Sequence, residues 1–202
     1  IKSYSEVVTD EAETDSGLFD VHKIDKDYLY EIPDSLLSRE MLLVSRIAET
    51  QDEIGYGGEK LNTQVVRWQK KDDKVLLRHV SYENVASDSL PVYEAVQNSN
   101  FEPIIASFDV KSLGEDSSGV VIDVTKLYNS DISALGLQSS QREQYGVRRL
   151  DTERSFIEHI NSYPENIEAR SWMTYDAANP PSSSSTGTIS MEINHSMVLL
   201  PE

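Results

Sequence analysis

Apolar and polar residues alternate along most of this chain with a period of two, not with the three-to-four-residue spacing of an amphipathic helix. Over 187–199, Ile189, Met191, Ile193, His195, Met197 and Leu199 fall on one side of an extended strand. Thr188, Ser190, Glu192, Asn194 and Ser196 fall on the other, so this strand is half buried. In 166–175, Ile167, Ala169, Ser171, Met173 and Tyr175 alternate in the same way with Glu168, Arg170, Trp172 and Thr174. Runs at 40–48, 62–69 and 74–82 share the pattern, and Lys71-Asp72-Asp73 joins the last two as a hairpin. Further strands are expected at 18–24, 27–32, 103–110, 119–125 and 155–160. Helical signals are brief: a turn after Pro33-Asp34, and segments at 89–97 and 125–129. About ten short strands with few short helices predict a mainly β or α+β fold of antiparallel sheets.

The same pattern sets the expected organisation. Residues 1–16 are polar, with Asp10, Glu11, Glu13 and Asp15 close together, and read as a flexible lead-in or a short capping segment. From there 17–202 reads as a single β-rich domain, within which 17–50 is a candidate small N-terminal subdomain. The Pro/Ser-rich stretch 179–187 is flanked by strong strands and so reads as a flexible loop, not a domain boundary.

Composition narrows the function classes. A chain of 202 residues can bury a core without disulfides or metal. It carries 18 basic and 35 acidic residues, a net charge of −17, the wrong sign for displacing counterions from nucleic acid. The same field repels anionic lipid headgroups. Self-repulsion that aids solubility accounts for the charge, and a surface facing a basic partner or calcium is the functional alternative. With no cysteine, thiolate zinc sites, disulfides and cysteine nucleophiles are excluded. No window has the apolar length of a membrane span. The front lacks an initiator Met and the basic start and apolar run of a signal peptide. It is therefore expected to be trimmed, with any targeting segment upstream.

Motifs for chemistry are sparse. His22, His79, His159 and His195 are too far apart for the paired His of a helical zinc-hydrolase site. His79 and His195 read as packed strand residues, and His22 and His159 as exposed or local hydrogen-bond donors. Gly55-Tyr56-Gly57-Gly58-Glu59 lacks the Lys-Ser/Thr of a phosphate-binding loop, and it reads as a tight turn using glycines at positive φ. A loop that contacts a partner or another domain is the second reading of Tyr56, Gly57 and Gly58. No serine sits in a nucleophile elbow. The carboxylate pairs Asp25/Asp27, Glu115/Asp116 and Asp151/Glu153 lack a calcium-loop spacing and read as solvated turns. Ten tyrosines and two tryptophans alternate in the strands mostly as packing residues. Trp68 and Trp172 are the candidates for an exposed, partner-facing aromatic platform.

Several strings together carry a resemblance. They are Gly17-Leu18-Phe19-Asp20-Val21-His22-Lys23, Tyr30-Glu31-Ile32-Pro33-Asp34-Ser35-Leu36-Leu37, the run from Gly55 to Trp68, and Ser162-Tyr163-Pro164-Glu165-Asn166-Ile167-Glu168. With the closing Ser196-Met197-Val198-Leu199-Leu200-Pro201-Glu202, they resemble the N-terminal region of large bacterial zinc-dependent, metzincin-like metalloproteases. In that family two adjoining domains of unknown function, a short one and then a longer one, precede the catalytic domain. The resemblance implies an exported, extracytoplasmic protein whose zinc and catalytic residues lie in a downstream domain absent here. It places no catalytic residue, metal ligand or cofactor in this chain. The expected function is a non-catalytic accessory or propeptide-like domain whose partner is that downstream domain. The alternative is an independent β-sandwich module that binds glycan or protein.

Overall fold

Twelve strands carry the fold in a computed structural model that describes residues 1–83, 86–181 and 185–202. They are β1 (Glu13–Asp15), β2 (Asp20–Ile24), β3 (Asp27–Ile32), β4 (Glu40–Thr50), β5 (Lys60–Lys71) and β6 (Lys74–Val80). The second half adds β7 (Ile104–Leu113), β8 (Val120–Asp123), β9 (Val147–Leu150), β10 (Phe156–Ser162), β11 (Asn166–Ala177) and β12 (Thr188–Leu199). All pair antiparallel in the order β1-β2-β3-β8-β7-β6-β5-β4-β12-β11-β10, with β9 pairing β11 off this path. Four short helices accompany them, α1 (Tyr4–Val7) ahead of β1, and α2 (Tyr93–Ser99), α3 (Thr125–Asn129) and α4 (Ser139–Tyr145) between strands. The turn after Pro33 is a 3-10 turn at Asp34–Leu36. Among the described residues no helix is long and apolar enough to cross a membrane.

Every strand expected from the alternation is present, but the middle of the sheet is not made of short strands. β4, β5, β7, β11 and β12 run for 10 to 12 residues. The 71–74 hairpin closes on a Lys71–Lys74 pair, and Asp72 takes the positive φ of 55° that the tight turn requires. β1, β9 and α4 have no counterpart in the sequence pattern, because each buries one residue at most. Part of the Pro/Ser-rich 179–187 stretch, 182–184, lies outside the described residues.

Two expectations about the front of the chain are corrected. Residues 1–16 are not a loose lead-in: α1 docks through the Tyr4 hydroxyl, which donates to Glu31 at 2.9 Å, and β1 extends the sheet beside β2. Nor is 17–50 set apart as a subdomain. β4 lies in the middle of the sheet between β5 and β12, and β3 pairs with β8.

One face of the sheet is apolar along almost every strand, so the sheet curls around that face until its two ends meet. At the seam the Ser162 amide donates to the Asp15 carboxylate at 3.0 Å, the Leu18 amide to the Tyr163 carbonyl at 2.8 Å, and the Ser162 hydroxyl to the Phe19 carbonyl at 2.6 Å. A Cβ at Gly17 would come within 2.6 Å of Ser162 Oγ, so only glycine lets the chain pass this close. Inside, Trp68 is 0% exposed, with Phe19, Tyr30 and Phe108 rings 5.6 to 6.4 Å away. Trp68 is therefore a core residue and not part of a partner-facing platform, which corrects the sequence reading. Even-numbered positions of β5 face inward over this stretch, and the large apolar surface of Trp68 fills the centre.

A second apolar cluster, including Ile47, Tyr175, Ile189 and Ile193, occupies the other end of β4, β11 and β12. Between the two clusters runs a polar belt of Ser45, Ser171 and His195, all buried. His195 Nδ1 lies 2.8 Å from Ser45 Oγ, and its ring sits 5.5 Å from that of Tyr128.

Replacing Trp68 with alanine is expected to cost about 3–5 kcal/mol of folding free energy, the usual cost of emptying a large buried aromatic site. Trp172→Ala should stay within about 0.5 kcal/mol, as for other surface changes. Denaturant unfolding of both variants by circular dichroism checks the contrast.

Candidate functional site

With the inner face committed to the core, functional groups must stand on the outer face or at the turns. Strand register assembles one row of them across four strands. Phe156 on β10 pairs with Trp172 on β11, Trp172 with Glu192 on β12, and Glu192 with Glu49 on β4. Directly paired residues have their side chains on the same face, with Cβ atoms about 5 Å apart.

Two β-bulges interrupt the ladders beside this row. In β10 the pairing steps from Ile157–Ser171 to His159–Arg170, leaving Glu158 as the extra residue. In β4 it steps from Glu49–Glu192 to Ile47–Ile193, leaving Ala48 extra. Bulges bend a strand and re-aim a side chain, and here they frame a cleft of about 570 Å³. Trp172 and Phe156 form its rim and are 53% and 54% exposed. The frame is tied down: Gln51 Oε1 accepts from the Ser190 amide at 2.8 Å, and Ser155 Oγ from the Thr174 amide at 3.1 Å.

The floor is electrostatically unusual. Glu192 is only 8% exposed, and its carboxyl is pushed up to about 7, first by burial, then by a hydrogen bond to Glu158 and the Glu158 charge. Glu49 adds to the rise and the Arg170 guanidinium opposes it. Below about 7, Glu192 stands protonated and uncharged on the cleft floor. Glu192 Oε1 lies 3.3 Å from Arg170 Nε, yet neither atom makes a hydrogen bond among the described residues.

The other sequence candidates lie elsewhere. Tyr56 is 67% exposed at the tip of the β4–β5 turn, where Gly55 and Gly58 take φ of 50° and 92°. The Gly58 amide donates to the Ile47 carbonyl at 2.7 Å and the Ile47 amide to the Glu59 carbonyl at 2.9 Å, so the glycines serve a tight turn, as expected. Neither Tyr56, Gly57 nor Gly58 lines the cleft. Of the sequence candidates only Trp172 does.

His22 corrects its reading as exposed: it is buried, and only its hydrogen bonding matches expectation. Its Nε2–H donates to Glu31 at 3.0 Å, and its Nδ1 lies 2.8 Å from Thr14 Oγ1. This hydroxyl–imidazole–carboxylate chain resembles a hydrolytic triad on paper. However, Glu31 also accepts from the Tyr4 hydroxyl and the Glu115 amide, so the arrangement fastens α1 and β1 to the sheet. The Ser45–His195 pair is closed off from solvent inside the core. No group of three or more His, Asp or Glu side chains converges as a metal-ligand set among the described residues.

Glu192 and His195 give folding opposite pH dependences. The folded chain holds the Glu192 proton more tightly than the ordinary value of 4.5, so its stabilisation is full below 4.5 and is lost as pH rises through about 7. Burial lowers His195 from 6.5 to about 4, so its contribution is full above 6.5 and is lost as pH falls through about 4. Comparing wild type with Glu192→Gln cancels the His195 effect. The variant's stability advantage should grow from pH 4.5 to a plateau above 7, and a pH-independent difference in urea melts would contradict the assignment.

Comparison with known proteins places the chain. A family model described as a domain of unknown function, DUF5118, matches residues 1–50, and a second, DUF5117, matches residues 58–202. No curated protein and no solved structure matches. The two matches meet at the β4–β5 turn, so strands from both complete one sheet. The longer match covers most of the chain, which therefore belongs to the DUF5117 family of domains of unknown function, with a DUF5118 region in front.

Proposed function

We propose that this chain is a non-catalytic accessory domain of a larger, exported zinc-dependent protease, and that it docks its partner through the Trp172 cleft. The observation that carries the docking role is the pair of half-exposed aromatic rings held side by side on paired strands above a buried carboxyl. Rigid aromatic side chains in a fixed frame bind with little ordering cost, and Trp is enriched among residues that dominate interfaces. The protease context is supported by the resemblance of the strings between Gly17 and Glu202 to the front region of metzincin-like proteases. A short matched region ahead of a longer one fits that resemblance. The partner is then the downstream domain of the same polypeptide, which holds the zinc.

The alternative, a module that binds glycan, draws on the same exposed Trp172, since a sugar face can stack on an indole ring. The two readings separate in one set of measurements. The chain should bind the polypeptide encoded immediately downstream, and Trp172→Ala should weaken that association about tenfold, the loss of one good interface anchor. Purified alone, the chain should cleave no peptide and retain no stoichiometric zinc. One tightly held zinc per chain, or cleavage of a peptide library, would overturn the accessory role. Glycan binding with no affinity for the downstream polypeptide would favour the alternative.

A further inference from the structure

The cleft floor specifies more than a docking surface. Three carboxylates face it from three strands: Glu49 on β4, Glu158 on β10 and Glu192 on β12. Two guanidinium groups also face it, but Arg154 is engaged by Asp151 at 2.8 Å and by Asp176 at 3.7 Å. That leaves Arg170 beside Glu192 as the local counter-charge, with His159 Nδ1 3.7 Å from Glu158 at the outer edge. The site is therefore short of positive charge within a chain of net charge −17. Its deepest acceptor, Glu192 Oε1, is buried and makes no hydrogen bond. The rim above consists of two aromatic faces, a surface that attracts cations through the ring quadrupole.

We infer that the cleft takes the cationic side chain of a lysine or arginine from a basic partner segment, which pairs with the carboxylates of Glu192 and Glu158 between the Trp172 and Phe156 rings. This rests on the reading of the cleft as a docking surface. Any proton on Glu192 leaves to solvent as the cation enters, and Trp172 and Phe156 flank the aliphatic stem. A neutral sugar would leave the charge deficit uncorrected, so the floor favours a cation.

Binding is then linked to proton release. With Glu192 held near 7, affinity should tighten by up to about tenfold per pH unit below that value and level off above it. The test is calorimetric titration of the 202-residue chain with an N-acetylated trilysine amide, in buffers of different ionisation enthalpy. About one proton should be released per peptide near pH 6, falling towards none near pH 8. Glu192→Gln should abolish both the proton release and the pH dependence. Trp172→Ala should weaken binding about tenfold while keeping the proton release. A lysine-acetylated version of the peptide should not bind.

Absence of trilysine binding would overturn the inference. So would binding that is equal in wild type and Glu192→Gln at every pH, which marks attraction to the general acidic field. Binding of cellohexaose at Trp172 without proton exchange, in place of the peptide, would also overturn it. Loss of peptide binding while the downstream polypeptide still associates removes this inference and leaves the accessory-domain reading. The reverse result removes that reading and leaves the cation site.

Discussion

The structure depends on one constraint: a long antiparallel sheet with one apolar face must curl until that face is closed off from water. Stacking a second sheet is one solution, and this chain uses another by bringing its own edges together. Asp15, Leu18 and Phe19 from the front meet Ser162 and Tyr163 from the back, and Trp68 fills the space they enclose. The bonds at the seam are few and individually modest, about 1 kcal/mol each, so the burial of Trp68 and its ring neighbours provides the larger driving force. The front segment is structural for the same reason. Without β1 and β2, the core residues beneath them would face water.

This closure decides where chemistry can reside. His195, Ser45, Tyr30 and Tyr128 are polar, hydrogen-bonded and buried, and none of them can reach a ligand. On the outer face, bulges in β10 and β4 flank the β11–β12 ladder and frame the cleft. There the ordinary solution for a carboxylate, full solvation, is not open to Glu192, and burial raises its hold on a proton. A buried acid without a matched counter-charge costs stability, and such groups cluster where ligands bind.

Much of the fold was legible from alternation alone, because most strands have one face in the core and one outside. The 166–175 and 187–199 patterns placed Trp172 and Glu192 on outward faces without the structure. Their adjacency was not legible, since the alternation within each strand does not fix the register between strands. Glu158 was invisible for a related reason: a bulge leaves no mark on hydrophobic periodicity. Trp68 was misread because both faces of its run mix polar and apolar residues, Gln64 with Val66 on one and Val65 with Arg67 on the other, so alternation does not say which face is core. β1 and β9 escaped because edge strands that bury one residue or none carry no alternation.

The account is tested most directly by the titration of Glu192 itself. Carbon-detected NMR of its side-chain carboxyl, assigned by comparison with Glu192→Gln, should show a midpoint near 7. A transition near the ordinary value of 4.5 would mean that Glu192 holds no proton for a cation to displace near neutral pH, and the linkage of binding to proton release would not stand.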